Sequence, residues 1–502
     1  MKYSLKEAVK QGFKLGRIRG REIIANFNGG RITSDTGIIL IAELDRKLKI
    51  SERFAKCFQD YRHKNYTNYS LIKLLAQRLY GIILGYEDVN DHDCIRHDPA
   101  LQIALERLCN LDSNRLDILA GKSTINRLEY CPENIIDQKS SRYHKIEHSP
   151  KKIEKAFIDF FLESSKKPPL SIIIDLDVTD DIVHGNQEGA FFNKYYNSVC
   201  YAPLYIFCGH HLLAAKLRPS NIDPAAGALD ELQRIIPIIR KKWPETHITI
   251  RADSAYCRDE ILNYCEDKPL VDYVIAMSTN NQLKLRYNDI INKAKKEFEA
   301  KLIPIEKLME TYFSKEEELD ELPKLIPNST YFRSICYRTE KSWSRKRRVV
   351  TKVIYGSNDL KIRHIVTSFT AKKISPSKLY REKYCPRGDM ENRIKEQQLD
   401  LFAEQRSCAY GSRTSTQTFA SNQLRLWLSS MAYVLLQAFR QYCLNKTEFA
   451  TATIGTIRLT LLKLGARITI SCRRILIAIS SYCPNQKILI IANSRIQAIP
   501  DT

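Results

Sequence analysis

A chain of 502 residues with 79 Lys plus Arg against 57 Asp plus Glu carries a formal charge of +22. Such a field favours a polyanionic partner and is more than an acidic small molecule needs. The length suits roughly two to four domains, and the 14 cysteines contain no C-x-x-C pair, which argues against a zinc ribbon or a disulfide framework.

Met1 to Leu15 mixes charges into its apolar residues and lacks a continuous apolar run, which argues against secretion. The longest uncharged apolar stretch, Leu426 to Phe439, is shorter than the about 20 residues of a membrane span. The expected setting is the cytosol, where thiols stay reduced.

In chain order, the first 150 residues contain a turn-rich unit, NFNGGRITSDTG (26–37). Its Gly29, Gly30 and Gly37 allow positive φ, and Thr33, Ser34 and Asp35 suit turns or a helix N-cap. Helical spacing follows in LIKLLAQRLYGIILGY (71–86) and LQIALERLCNL (101–111). Residues 1–150 are therefore predicted to be mainly helical, with scattered Arg and Lys that suit either DNA docking or amphipathic packing.

Over 151–284 the period shortens. SIIIDLDV, YAPLYIFCG and LLAAKLR read as three strands, the last two a hairpin. AGALDELQRIIPIIRKKW (226–243) reads as a helix, HITIRAD as a strand, CRDEILNYCED as a short helix and DYVIAM (272–277) as a strand. That order is the order of a ribonuclease-H-like α/β core with a mixed sheet.

Residues 285–372 begin charge-rich and partly helical (NKAKKEFEAKL, SKEEELDELPKL). They then alternate as strands (STYFRSICYRT, RRVVTKVIYG, IRHIVTSFT), which reads as a β-rich insertion in the core. The core is expected to resume over 373–440, with helices over 391–405 and 421–440. Residues 441–502 are expected to form a C-terminal region for dimerisation, and their β-branched runs fit helix or strand alike.

Three acids stand where chemistry would want them: Asp177 near the end of SIIIDLDV, Asp253 closing HITIRAD, and Glu391 within YCPRGDME (384–391). Carboxylates converging on one sheet edge cannot all stay ionised without cations, so a divalent metal is the expected partner. Asp175 shares a strand face with Asp177, but Asp177 is nearer the strand end and begins an Asp-x-Thr pattern with Thr179. Asp175 suits a hydrogen-bonding neighbour of the site.

Asp253 has a competing role as N-cap of the next turn. Glu391 follows Arg387 by four residues and precedes Lys395 by four. On a helix this gives an acid flanked by two phosphate-holding cations, or an exposed ion-pair ladder. GKST (121–124) fails as a phosphate loop because Leu116 stands where its first glycine would be. His184, His210 and His211 lack the Cys/His spacing of a zinc site.

These motifs, together with GGRITSDTG, GYEDVNDHD (85–93), GKSTINRLE (121–129), DVTDDIVHGNQEGAFFNKYYNSVCYAPLYIF (177–207), AAKLRPSNID (214–223), IRADSAYCRDEI (250–261) and SWSRKRRVVTKV (342–353), resemble the bacterial insertion-sequence transposases that carry an Asp, Asp, Glu triad. The resemblance is to the group numbered thirteen-eighty within the larger class numbered four. It implies cut-and-paste transposition through a hairpin end. It also implies two Mg²⁺ ions about 3.5 to 4 Å apart, with Mn²⁺ able to substitute, held by Asp177, Asp253 and Glu391.

The implied partners are double-stranded DNA, both terminal inverted repeats and target, and a second copy of the chain in a DNA-bound homodimer, with no membrane. Tyr384, Arg387 and Lys395 would contact DNA. Trp343, beside Arg345 and Lys346, would trap a flipped base, or else be a core residue of its strand. The class pattern of Tyr, two residues, Arg, three residues, Glu, six residues, Lys ends here on Gln398, and Lys395 is the cation that could share the missing role. Two other readings stay open: a metal-dependent nuclease of the same fold that cuts without joining, and a DNA-binding remnant without chemistry.

Overall fold

The computed structural model describes residues 12–109, 118–133, 145–312, 327–340, 342–356, 359–403 and 418–501. Unit 1 takes the described residues of Met1–Ala156, Ile182–Glu188 and Lys395–Thr502, and unit 2 those of Phe157–Asp181 and Gly189–Ile394.

Numbered along the chain, the main strands of unit 2 are β1 (Ser171–Val178), β2 (Leu204–Cys208), β3 (His211–Lys216), β4 (His247–Ala252), β5 (Val271–Met277), β6 (Ser329–Tyr337), β7 (Arg347–Gly356) and β8 (Asp359–Thr367). Its main helices are α1 (Ala228–Lys242), α2 (Asp259–Glu266), α3 (Asn288–Tyr312) and α4 (Gly388–Lys395). The strands form one sheet in the order β3-β2-β1-β4-β5-β8-β7-β6. β4 is parallel to both β1 and β5, and every other neighbouring pair is antiparallel.

The centre of this sheet explains its composition. Strands covered on both faces read as continuous apolar runs, and Ile172, Ile174 and Leu176 of β1 and Ile248 and Ile250 of β4 are all buried. α1 turns Leu232, Ile235, Ile236 and Ile239 to the same core at helical spacing. Its acids, Asp230 and Glu231, lie in the first turn and its Arg240, Lys241 and Lys242 in the last, each complementing the helix dipole.

The strands and helices expected over 171–277 form in their expected places. In the 285–372 segment the strands join the core sheet: β8 pairs with β5, and β7 and β6 follow outward. Val349 and Val366 of these strands join the central core, which gives the apolar reason for docking there. NKAKKEFEAKL lies in α3, whereas SKEEELDELPKL lies outside the described residues.

The chain around Glu391 winds helically with changing pitch: π-helical over Leu379–Tyr384, 3₁₀ over Cys385–Arg387, α-helical over Gly388–Lys395 and π-helical again over Glu396–Asp400. The helix predicted over 391–405 thus starts earlier and stops at Leu401, and residues 404 and 405 lie outside the described range. The unit boundary at Lys395 also splits the 373–440 segment that was expected to be one core piece.

In unit 1 the helices Ile38–Leu48, Leu71–Leu84, Pro99–Cys109 and Phe419–Ala438 pack together. Ser70 caps Leu71–Leu84 by accepting from the Lys73 N–H, and Gly85 ends it at φ 92°. The described part of the last sixty-odd residues falls in this unit. Strand Ala466–Ser471 pairs with Arg31–Thr33 and with Arg474–Ile479, and helix Gln486–Gln497 packs on Ile38–Leu48.

Of Gly29, Gly30 and Gly37 only Gly30 takes positive φ, 77°. Gly37 serves close approach instead, since a Cβ there would lie 2.1 Å from the Leu461 carbonyl oxygen. Buried Glu129 sits between Arg78 at 2.6 Å and Arg425 at 3.3 Å. Burial pushes its carboxyl up, but the two guanidiniums outweigh that and hold it below the ordinary range. Among the elements with no counterpart in the predicted set are helices Ile38–Leu48 and Pro150–Glu163 and a ribbon of Phe13–Ile18 paired with Arg21–Ala25. No described helix is long and apolar enough to cross a membrane.

Candidate functional site

The register of β1 on β4 builds the site. Arg251 stands opposite Asp175 and Ala252 opposite Leu176, so the next residue along β4, Asp253, comes level with Asp177. Side chains alternate along strands. One register therefore sets Arg251 beside Asp175 and, two residues further, Asp253 beside Asp177. The strands are parallel, so both acids reach the same edge of the sheet.

Glu391, on α4, reaches this edge through Arg387. The Arg387 guanidinium donates to Asp177 Oδ2 at 3.0 Å and to Glu391 Oε1 at 2.9 Å. Burial raises the Asp177 carboxyl to about 6. Arg387 opposes that shift, while the charges of Asp253 and Glu391 add to it. Among the described residues no three acidic, His or Cys side chains lie close enough to hold a metal ion as they stand, and the guanidinium fills the space between two of the three acids. Asp253 Oδ1 accepts from the Ala255 N–H at 3.0 Å, so the expected N-cap role is real and uses one of its two oxygens.

Two anchors fix the helical segment that carries Glu391. Arg251 makes a two-point pair with Asp175, at 2.5 and 2.8 Å, and its remaining nitrogen donates to the Lys383 carbonyl at 2.9 Å. Both partners are buried, which makes Asp175 a structural partner. Beyond Glu391, Arg393 donates to His210 in the β2–β3 turn at 3.2 Å. Tyr384 packs on Tyr380, ring centres 5.5 Å apart. Burial raises its phenol, with the Arg387 charge opposing and Asp253 adding.

The other expected contacts are dispersed. Trp343 is only 4% exposed and belongs to the central core, edge-on to Tyr337 and under Arg347. A base could stack on it only if that packing opened. Arg345 is about half exposed, 3.4 Å from Glu266, and Lys346 is exposed. Neighbouring Arg347 is buried on Asp259 and Glu266 of α2, at 2.6 and 2.7 Å, so α2 neutralises much of the basic run.

Lys395 is exposed at the end of α4, and Gln398 is half-buried in the π-helical turn that follows. At GKST the Asp93 carboxylate accepts from the Lys122 N–H at 3.0 Å, holding the helix start where a phosphate loop would hold its anion. His184 and His210 are exposed, and His211 contacts Ser164 at 3.3 Å. The described cysteines are all free thiols.

Two residues went unread in the sequence. Arg251 forms the anchor just described. Tyr256 is fully buried and its hydroxyl has no hydrogen-bond partner among the described residues. Burial raises its phenol, Arg218 opposes, and the charges of Asp177 and Asp253 add to the shift, which puts it within electrostatic reach of both acids. The signal was RADSAYC, where Tyr256 follows Asp253 by three positions.

Among solved structures the chain is similar to a piggyBac transposase synaptic complex with hairpin DNA. Identity is 11%, covering 86% of this chain and 80% of that one, with a TM-score of 0.40, a likeness too slight to bear on the fold. No curated protein matches. The family described as transposase DDE domain group 1 matches residues 15–501. A match over that span takes in all three acids and both units, and the chain belongs to this transposase DDE family.

Proposed function

We propose that this chain is a metal-dependent DNA transposase of the bacterial insertion-sequence group numbered thirteen-eighty, cutting and rejoining DNA at the edge of a ribonuclease-H-like sheet. The observation that carries the reading is the β1–β4 register, which sets Asp177 beside Asp253, with Glu391 linked to Asp177 through Arg387. The strand order β3-β2-β1-β4-β5, three antiparallel strands followed by two parallel ones, supports the ribonuclease-H-like description.

Asp177, Asp253 and Glu391 are the residues that would hold two Mg²⁺ or Mn²⁺ ions. Their carboxylate oxygens suit hard divalent cations, and burial, with the charges of Asp253 and Glu391 adding, raises Asp177 to about 6 against Arg387, a shift that a bound cation would oppose. Such ions, when bound, polarise a phosphodiester and acidify the attacking water or 3′-hydroxyl.

The remaining work belongs to the chain. Arg387 would leave the carboxylates for a DNA phosphate, a bidentate acceptor of similar geometry. Tyr384 packs beside it, and the Arg251 and Arg393 anchors hold the Glu391 segment at the sheet. One site can then nick an end, close and reopen a hairpin and join the end to target, because each step is attack on a phosphodiester. The substrate is double-stranded DNA, terminal repeats and target, handled by a homodimer in the cytosol.

The test is strand chemistry by the purified protein. With Mg²⁺ and a duplex carrying the element's end, the chain should nick, release a hairpinned end and join it to a second duplex. Asp177→Asn, Asp253→Asn and Glu391→Gln should bind that duplex yet lose every step by about a thousand-fold or more. Cleavage without a joined product would favour the nuclease. Binding without cleavage in either Mg²⁺ or Mn²⁺ would favour the remnant and point to Gln398.

A further inference from the structure

The ribbon at the start of the described chain has no part in the chemistry above. Its strands, Phe13–Ile18 and Arg21–Ala25, are joined through Arg19 and Gly20, both at positive φ, 49° and 78°. That is the turn whose twist matches a two-stranded ribbon. The register slips between Lys14 and Arg17, with Gly16 at φ 103°, and such a bulge coils the ribbon further.

Pairing puts Phe13, Ile18, Ile23 and Ala25 on one face with Arg21. Lys14, Arg17, Glu22 and Ile24 take the other, where Lys14 meets Glu22 at 2.7 Å. Both faces are open: Phe13 is 50% exposed, Ile18 62% and Ile24 53%. Arg17, Arg19 and Arg21 crowd the tip.

An isolated ribbon is marginal in water, and exposed apolar side chains rimmed by charge mark a binding surface. Charge chooses the partner. The ribbon bears Lys14, Arg17, Arg19 and Arg21 against Glu22 alone, a local excess of positive charge that favours a polyanion. Shape narrows the choice further. Strands about 4.8 Å apart fit the major groove of B-form DNA, about 12 Å wide, whereas the major groove of duplex RNA is too narrow to admit side chains.

We propose that the ribbon Phe13–Ala25 is an arm that lies in the major groove of duplex DNA. Arg17, Arg19 and Arg21 engage phosphates and guanine edges, and Phe13 and Ile18 rest against base edges where thymine methyls are apolar. This rests on the reading of the chain as a DNA transposase, and adds a grip on the duplex made by residues other than the three acids.

The test uses the full-length protein without divalent metal and a fluorescent random-sequence DNA duplex. Replacing Arg17, Arg19 and Arg21 together by Ala should weaken binding about ten-fold or more and flatten the salt dependence by about 0.9 for each phosphate no longer neutralised. Hydroxyl-radical labelling of Phe13, Leu15 and Ile18 in the unsubstituted protein should fall when the duplex is added, a readout that needs no variant.

Unchanged affinity, unchanged slope and unchanged labelling, with the parent still binding DNA, would overturn the arm and leave the transposase reading standing. A parent that binds no duplex would overturn both. Labelling that falls with protein concentration alone would assign the ribbon to a second copy. Protection by anionic vesicles and not by DNA would assign it to a membrane, and equal protection by duplex RNA would remove the groove argument.

Discussion

Asp177 holds a charge that its surroundings disfavour. Burial raises its carboxyl to about 6, Arg387 opposes, and Asp253 and Glu391 add to the rise. The folded value lies above the unfolded value near 3.8, so the folded chain binds this proton more tightly. Stability is highest below the unfolded value, falls as pH rises through the window from about 4 to about 6, and stays reduced above it. At about 1.4 kcal/mol per unit, the ionised group costs about 3 kcal/mol at neutrality. Asp177→Asn should therefore raise the Tm of the metal-free protein at pH 7 and lose most of that gain at pH 4. Melts in EDTA at the two pH values check this, and an equal gain at both would mean that no strained charge is present.

At the scale of elements, the segment bearing Glu391 depends on a pair that does no chemistry. Arg251 holds Asp175 with two nitrogens and the Lys383 carbonyl with a third. Arg251→Ala should destabilise the fold by about 3–5 kcal/mol, since it strands a buried carboxylate. Arg251→Lys keeps the charge but loses the planar fork, so it should lose less stability while amide exchange over 383–394 rises more than in the rest of the sheet. Hydrogen exchange compared segment by segment decides the matter, and a uniform rise would reduce the pair to general stability.

Strand alternation already showed that Asp175 accompanies Asp177. That Arg251 meets Asp175 depends on a cross-strand register between segments far apart in sequence, which no local pattern carries. For the same reason β6, β7 and β8 were legible as strands but not as members of the main sheet, because the β8–β5 pairing is non-local. The Phe13–Ala25 ribbon escaped because the bulge at Gly16 interrupts the period of two. Around Trp343 the basic run suggested a nucleic-acid surface, and the acids that neutralise it come from α2. The three acids themselves were legible because strand ends and helix spacing are local signals. The guanidinium between two of them was legible only as an i,i+4 neighbour of Glu391.

At the scale of the molecule, unit 1 is made from both ends of the chain. Ala466–Ser471 supplies the neighbour of Arg31–Thr33, Arg458 donates to the Ile83 carbonyl at 2.7 Å, and the Thr36 N–H donates to the Leu464 carbonyl at 3.2 Å. A chain stopped after Asn445 should thus lose unit 1 altogether, since the truncation also removes buried Ile454, Ile457, Leu461, Leu462 and Ile496, whose burial at about 1.5–3 kcal/mol each is comparable to the roughly 5–15 kcal/mol that typically holds a domain. Circular dichroism should show a loss of helix beyond the residues removed, and limited proteolysis should cut within 38–109. A folded, soluble, monomeric product would instead support a C-terminal region that serves dimerisation alone.

The same pairing sets a clock on biosynthesis. At a synthesis rate of about 5–20 residues per second, the strand Arg31–Thr33 leaves the ribosome on the order of 20 to 90 s before Ala466–Ser471 exists. Over that interval Ile38, Ile41 and Leu44, all buried in the finished unit, lack their full covering and are open to chaperones. Unit 2, complete in sequence at Ile394, can close earlier. Ribosome-bound chains arrested past that point should therefore resist protease over 189–312 while remaining cleavable over 38–109, the part of the first unit still waiting for its late strand.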